Sequence, residues 1–218
     1  MDILITGTSD GIGRATAEYF LERGHRVVGF DRKPPALAHP NYRHEILDIC
    51  DADAYPEDVQ PEILVNNAGV QDSGQDIEIN LMGTIRITEK YAISNPRIRA
   101  VVMVGSASAH TGSEFPEYAA SKGGLLTYTK NAALRLAPRA VCNSIDPGGV
   151  LTDLNRPVME DPELWDQIMA LTPLRRWATP EEIAEWIYFV GVRNRFMTGQ
   201  NLLIDGGEAG DAHFVWKD

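Results

Sequence analysis

Short apolar runs alternate along this chain with longer stretches whose apolar residues recur every three or four positions. The runs are Ile3–Ile5, Arg26–Phe30, Arg43–Leu47, Ile63–Val65, Ala100–Val104, Val141–Ile145 and Leu202–Ile204. Their near-continuous apolar character predicts strands buried on both faces, as in a parallel sheet. Between them Ile12–Arg23, Ile77–Ser94, Tyr118–Ala137 and Glu181–Val192 have helical spacing, while Cys50–Val59 is at best a short helix. Thr179-Pro180-Glu181-Glu182 marks a helix start, with threonine as N-cap, proline in the first turn and acids beside the positive end of the helix dipole. Pro34, Pro35 and Pro40 make 33–41 a loop or a broken short helix rather than a domain linker. This βαβα rhythm predicts one α/β domain, a doubly wound parallel sheet with right-handed crossovers.

Composition narrows the partners rather than the fold. The chain has 218 residues, 44% hydrophobic and 23% charged, which suits one soluble domain with a substantial core. A formal charge of -11 argues against nucleic acid or an anionic membrane, both of which require a basic face. Cys50 and Cys142 have no C-x-x-C spacing and read as reduced thiols, consistent with the cytoplasm. Met1 leads into Ile3–Ile5 with no basic leader, so the start reads as a strand rather than a signal peptide, and no run of apolar residues is long enough to span a bilayer. His25, His39, His44 and His213 show no ligand spacing, and no metal site is expected.

The candidate chemistry centres on Tyr118 and Lys122. Four residues apart on a helix, they share one face, and a fixed ammonium beside a phenol favours phenolate and lowers a pKa that is ordinarily near 10. Such a tyrosine can exchange a proton with a hydroxyl. At the end of the first strand, Gly7-Thr8-Ser9-Asp10-Gly11-Ile12-Gly13 places small residues and a helix N-terminus where backbone N–H groups can meet a pyrophosphate. Ala15, Tyr19 and Phe20 of the following helix can face the sheet. Asp31 ends the second strand at the distance expected of a ribose-binding carboxylate, which favours NAD over NADP; Arg32 and Lys33 can soften that preference. Asp48 can contact adenine, with Ile49 in the same pocket; a solvated acid ending a strand is the equal alternative for Asp48.

Taken together, these positions resemble the short-chain dehydrogenase/reductase family in its compact form, over essentially the whole chain. The resemblance rests on Thr6-Gly7-x-x-x-Gly11-Ile12-Gly13, Asn66-Asn67-Ala68-Gly69, Ile79-Asn80-Leu81-x-Gly83, Ser106 after Val101–Gly105, Tyr118-x-x-x-Lys122, Asn143-Ser144-Ile145-Asp146-Pro147-Gly148, and Thr198-Gly199-Gln200-Asn201 through Asp205-Gly206-Gly207. It implies a Rossmann-like fold, a nicotinamide cofactor and a catalytic set of Asn80, Ser106, Tyr118 and Lys122. Tyr118 would exchange the proton at the substrate oxygen and Ser106 would hold that oxygen. Lys122 would lower the tyrosine pKa and grip the nicotinamide ribose, and Asn80 would support a water linking Lys122 to solvent. The cofactor-binding set implied is Gly7, Ser9, Asp10, Gly11, Ile12, Asp31, Asp48, Ile49, Asn67, Ala68, Gly69, Tyr118, Lys122, Pro147, Gly148, Val150 and Thr152. Ser108 is a rival to Ser106, His110 is expected to border the substrate, and the side chains of Asn66 and Asn67 are expected to satisfy backbone groups.

The segment 151–177 is expected to cover the substrate, and Trp165, Trp177 and Trp186 around it read as core residues. Only ten residues separate Gly69 from Asn80, a short connection that leaves 70–76 open or flexible. The interval from Ser106 to Tyr118 is also about one residue shorter than is common in the family, and Arg176-Trp177-Ala178 stands where glycine is usual. By resemblance the chain assembles as a homotetramer, or a dimer, through 77–94 and 118–137. The implied activity is NAD(H)-dependent interconversion of a secondary alcohol and a ketone. A 3-oxoacyl-thioester reductase, whose carrier protein would dock on Arg97, Arg99, Arg175 and Arg176, and a non-catalytic dinucleotide sensor or scaffold are the alternatives.

Overall fold

A computed structural model describes residues 1–113 and 115–210; His213 lies outside the described residues. All seven predicted strands form: β1 Asp2–Thr6, β2 Arg26–Asp31, β3 Tyr42–Ile46, β4 Ile63–Asn66, β5 Ala100–Val104, β6 Val141–Pro147 and β7 Asn201–Ile204. They make one parallel sheet in the order β3-β2-β1-β4-β5-β6-β7. The expected doubly wound, Rossmann-like α/β architecture is therefore present. Alternation along each strand sends residues to opposite faces. Leu4, Leu64, Val101, Met103 and Cys142 meet one helical layer, and Ile3, Ile5, Val65, Val102 and Ile145 meet the other.

The first layer holds α2 and α4. The predicted helix 77–94 forms as abutting pieces, together called α2: π-helical Ile77–Gly83, α-helical Thr84–Thr88 and π-helical Glu89–Ile93. Helix α4, Pro116–Leu136, starts with proline at N1, carries Glu117 in its first turn and ends with Arg135, a charge order that matches the helix dipole. Two adjacent glycines inside it would each cost about 1 kcal/mol of propensity. Gly124 has a packing reason, since a methyl there would lie 2.7 Å from Leu81 Cδ2 of α2, whereas a methyl on Gly123 would meet nothing within 4 Å.

The second layer holds α1, Gly11–Glu22, and α7, Pro180–Tyr188. Thr179 caps α7 as predicted, in a reciprocal capping box with Glu182. Phe20 and Ala15 are buried, but Tyr19 does not face the sheet: its ring packs edge-on against Tyr188 of α7 and under the Arg23 guanidinium. Three short helices went unpredicted: α3 Ser108–Thr111, α5 Arg156–Met159 and α6 Pro162–Leu171. The start of α6 was legible, because Asp161-Pro162-Glu163 repeats the cap, proline and acid order of α7, and Asp161 accepts from Glu163 N and Leu164 N. Between Cys50 and Val59 only the 3₁₀ turn Ala52–Ala54 forms. Trp177 is buried and Trp165 stacks on it at 5.0 Å, whereas Trp186 departs from the core expectation, at 44% exposure on the outer side of α7.

The glycine turn owes its compactness to Gly13. A methyl there would sit 1.9 Å from Gly7 O, a clash with backbone that cannot rotate away. Gly13→Ala is expected to cost about 3 kcal/mol through forced backbone shifts, lowering the melting temperature by roughly 10 °C. Gly123→Ala, with open space around it, is expected to stabilise by about 1 kcal/mol. Thermal denaturation of the two variants checks the contrast.

Candidate active site

Because the strands are parallel, the segments that follow β1, β4, β5 and β6 all emerge at one edge of the sheet. The strand order reverses between β1 and β4, and crevices at such switch points are where open α/β sheets take ligands. The predicted motifs therefore converge although they are spread over the sequence.

The turn after β1 is braced from β4. Thr6 Oγ1 accepts from Asn67 N and Ala68 N, both at 3.0 Å, and the Asn67 amide donates to Thr6 O and Gly7 O. The Asn67 amide donors are thus spent on backbone carbonyls of the turn, as expected; Asn66 departs from that expectation, since its amide donates to the side chains of Thr88 and Met103. Gly7 has φ +76°, in the left-handed region that favours glycine, and a side chain there would meet the Asn67 amide at 2.8 Å. Gly11 approaches the methyl of Thr152, which brings that predicted residue against the turn. Ile12 lies in the first turn of α1, where its carbonyl accepts from Thr16 Oγ1.

Asp31 closes β2 beside this turn, accepting from Ser9 N and Lys33 N at 2.9 Å each. The exposed carboxylate of Asp10 pairs with Lys33. Asp48 accepts from Cys50 N, and its other oxygen lies 3.6 Å from the Arg32 guanidinium. Two side chains expected to line the cofactor are in the core instead. Ile49 packs against Gly83 of α2, and Val150, bridged to Ala178, packs beneath the α1/α7 layer, because each is an apolar side chain at a strand-to-loop exit that the neighbouring core can still bury. Pro147 O accepts from Ala107 N at 2.7 Å, and Gly148 N donates to Ile204 O.

Ser106 lies two residues beyond β5 and is buried; its Oγ accepts from Ser108 N and lies 3.2 Å from Ser108 Oγ, so the two rival hydroxyls are neighbours. Lys122 Nζ lies 5.7 Å from the centroid of the Tyr118 ring, as one helical turn dictates. The lysine is buried to its tip and donates to Val104 O at 3.0 Å, the last carbonyl of β5. Burial lowers its pKa to about 8, although Asp146 and Asp76 pull it back up.

Asn80 occupies the π-helical first part of α2, wholly buried. Its Oδ1 accepts from Val70 N, and its amide donates to Val70 O and to Ser121 Oγ, which in turn donates to Tyr118 O. Gly69 fills the gap between the two functional groups: a methyl on it would lie 3.1 Å from Asn80 Oδ1 and 3.5 Å from Lys122 Nζ. The short 70–76 segment is accordingly pinned rather than open, because Asn80 holds Val70 and the buried Asp76 carboxylate accepts from Asp72 N, Ser73 N and Ser73 Oγ. Ser121 and Asp76 were not foreseen. Ser121 lies inside the Tyr118–Lys122 motif, but only its three-dimensional partners reveal its use.

The four arginines expected to form one basic patch are divided. Arg97 and Arg99 lie at the N-terminal edge of β5, beside Asp2 and Glu62. Arg175 donates to Met169 O, and Arg176 pairs with Glu182 beyond the C-terminal edge of β7. Parallel strands put those two edges at opposite ends of the sheet.

A family model described as enoyl-(acyl carrier protein) reductase matches residues 60–208, more than half of the chain. The chain belongs to the short-chain dehydrogenase/reductase family. Within it, 2,3-dihydro-2,3-dihydroxybenzoate dehydrogenase of Escherichia coli is 31% identical, over 94% of this chain and 96% of the relative. Among solved structures, 4-hydroxyisoleucine dehydrogenase complexed with NADH superposes with a TM-score of 0.89 at 27% identity, covering 97% of this chain and 99% of that one. Ligand-free aldohexose dehydrogenase of Thermoplasma acidophilum gives a TM-score of 0.87 at 28% identity, covering 100% and 97%. This short-chain dehydrogenase/reductase is thus an oxidoreductase of the nicotinamide-dependent kind. Among its described residues no helix is long and apolar enough to cross a membrane.

Proposed function

We propose that the chain interconverts a secondary alcohol and a ketone using NAD(H), with Tyr118 as the group that exchanges the substrate proton. The observation that carries this reading is the buried Lys122 ammonium one helical turn from Tyr118, at the strand edge where Ser106 also emerges. The chain's residues fit a dinucleotide. Gly7 and Gly11 leave no side chains over the helix N-terminus, where the backbone N–H groups of the turn would take the pyrophosphate. Each oxygen of Asp31 already accepts one backbone N–H, and a carboxylate with about four acceptor sites keeps room for two ribose hydroxyls.

When bound, the nicotinamide supplies or takes up the hydride. In the oxidative direction the Tyr118 phenolate removes the hydroxyl proton while the Ser106 hydroxyl donates to the same oxygen. The Lys122 ammonium stabilises the phenolate and would hold the nicotinamide ribose, and Asn80 ties α2 to α4 between them. The segment 151–177, with α5 and α6, would cover the substrate. There Leu151, Met159, Pro162 and Trp165 line a cavity of about 330 Å³, which suits an apolar substrate body. The divided arginines count against an acidic carrier protein and hence against the thioester reductase reading. A non-catalytic sensor has no specific observation in its favour.

Both cations able to meet a 2′-phosphate already face acids, Arg32 beside Asp48 and Lys33 beside Asp10. NADH is therefore expected to bind at least tenfold more tightly than NADPH by fluorescence titration, and Asp31→Ser is expected to erase most of that gap; equal affinities for the wild-type protein would refute the assignment. A screen of secondary alcohols and ketones, read by absorbance of the reduced nicotinamide with both cofactors, tests the activity. Tight NADH binding without turnover of anything in the panel would revive the sensor reading.

A further inference from the structure

Asp146 lies within the strand-end motif Asn143–Gly148 and is fully buried. Its Oδ2 meets His110 Nε2 at 2.7 Å, and its Oδ1 has no hydrogen-bond partner among the described residues. A buried carboxylate with an open oxygen is costly and adds little to stability by itself. Its position explains what it is near. A methyl on Gly105 would meet Asp146 Oδ1 at 2.0 Å, and the carbonyl of the preceding residue, Val104, takes the Lys122 ammonium. Carboxylate and ammonium thus flank the Val104–Gly105 peptide unit, just before Ser106, both out of water and, among the described residues, without a direct ion-pair contact.

We propose that Asp146 is the buried counter-ion of Lys122, held in place by His110, and that its negative charge sets the pH window in which the Tyr118–Lys122 pair works. Asp146 is then a positioning residue acting through Lys122. The inference rests on the proposed function for its consequence in turnover, but not for its electrostatics. The other charged groups around the pair have their own partners. Asp76 accepts from three donors in 72–73 and raises the Lys122 pKa after Asp146, and Asp205, after β7, accepts from Gly207 N and Ala209 N. From α3 comes His110, from α4 Tyr118 and Lys122, and from β6 the inert thiol of Cys142. Burial raises the Asp146 pKa, while His110, Ser144 and Lys122 favour its ionised form; Asp146 in turn raises that of Lys122.

Removing one negative charge lowers the pKa of every titrating neighbour, so the sign of the effect is unambiguous. In Asp146→Asn, which keeps the shape and a hydrogen bond to His110, the pKa values of Tyr118 and Lys122 are both expected to fall by about one unit. Isotope-labelled tyrosine and lysine NMR titrations of the full chain, assigned with Tyr118→Phe and Lys122→Met, read this without any substrate. The pH optimum of turnover is expected to move to acid by a similar amount, with NADH affinity at neutral pH changed less than threefold. His110→Ala, which deprives Asp146 of the hydrogen bond from His110, is expected to move the same values in the same direction by less. Should Asp146→Asn not fold, Asp146→Ser and His110→Ala carry the test. Unmoved pKa values in the folded variants would overturn the proposal, while moved values with no turnover at all would sustain it and count against the proposed function instead.

Discussion

Tyr118→Phe is expected to lower kcat by about a thousandfold or more, within the range that loss of a positioned acid or base commonly produces, while NADH binds as before. The substitution keeps the ring whose centroid lies 5.7 Å from Lys122 Nζ and removes only the hydroxyl. The helix keeps its tie to α2, because Ser121 Oγ, which accepts from the Asn80 amide, donates to the main-chain carbonyl of residue 118. Steady-state turnover together with a fluorescence titration of NADH separates the two functions. Near-normal kcat would remove the phenol from the mechanism, and loss of NADH binding would assign it to the cofactor instead. Ser108 stands close enough to Ser106 to share the substrate oxygen, but neither hydroxyl can replace a phenolate as a base at neutral pH.

Lys122→Met is expected to have a comparable effect on kcat/KM and an opposite one on stability. The ammonium has left water for a site with one acceptor, Val104 O, and its pKa falls to about 8 from 10.5 because burial disfavours the charged form. That displacement corresponds to about 3 kcal/mol. Below pH 8 the folded and unfolded chains both hold the proton and the folded state bears the whole cost. Between about pH 8 and 10.5 the folded chain has released the proton while the unfolded chain retains it, so stability rises with pH across that window. Methionine has a similar shape and no charge, and because burial outweighs the attraction of Asp146 and Asp76 at this site, losing the charge relieves a net cost. At pH 7 the variant should therefore match or exceed the wild-type protein in urea, and the difference should shrink toward pH 10. Parallel pH dependences for the two proteins would contradict the burial cost, and retained turnover would contradict the role.

The elements were legible because their signals are local. Apolar runs of three to five residues, and the cap and proline at Thr179-Pro180, need no partner to be recognised. Helix α6 carries the same local start signal at Asp161-Pro162. Side-chain direction was harder. Tyr19 obeys helical spacing but turns to Tyr188, since whether a neighbouring helix lies over it depends on α1 meeting α7. Motif position assigns Ile49 and Val150 to a cofactor pocket, whereas the core beside their strand exits buries both side chains.

By itself the sequence determined that a parallel α/β sheet forms and that a phenol and an ammonium share one helix face, because 3.6-residue and 2-residue periods act within a few positions. Only the tertiary structure decided that Gly69 fits between Asn80 and Lys122, that four arginines fall on opposite edges, and that Asp146 reaches His110 beside the buried lysine. Those outcomes depend on which strand ends lie side by side, and strand order joins residues dozens of positions apart whose approach no local pattern encodes.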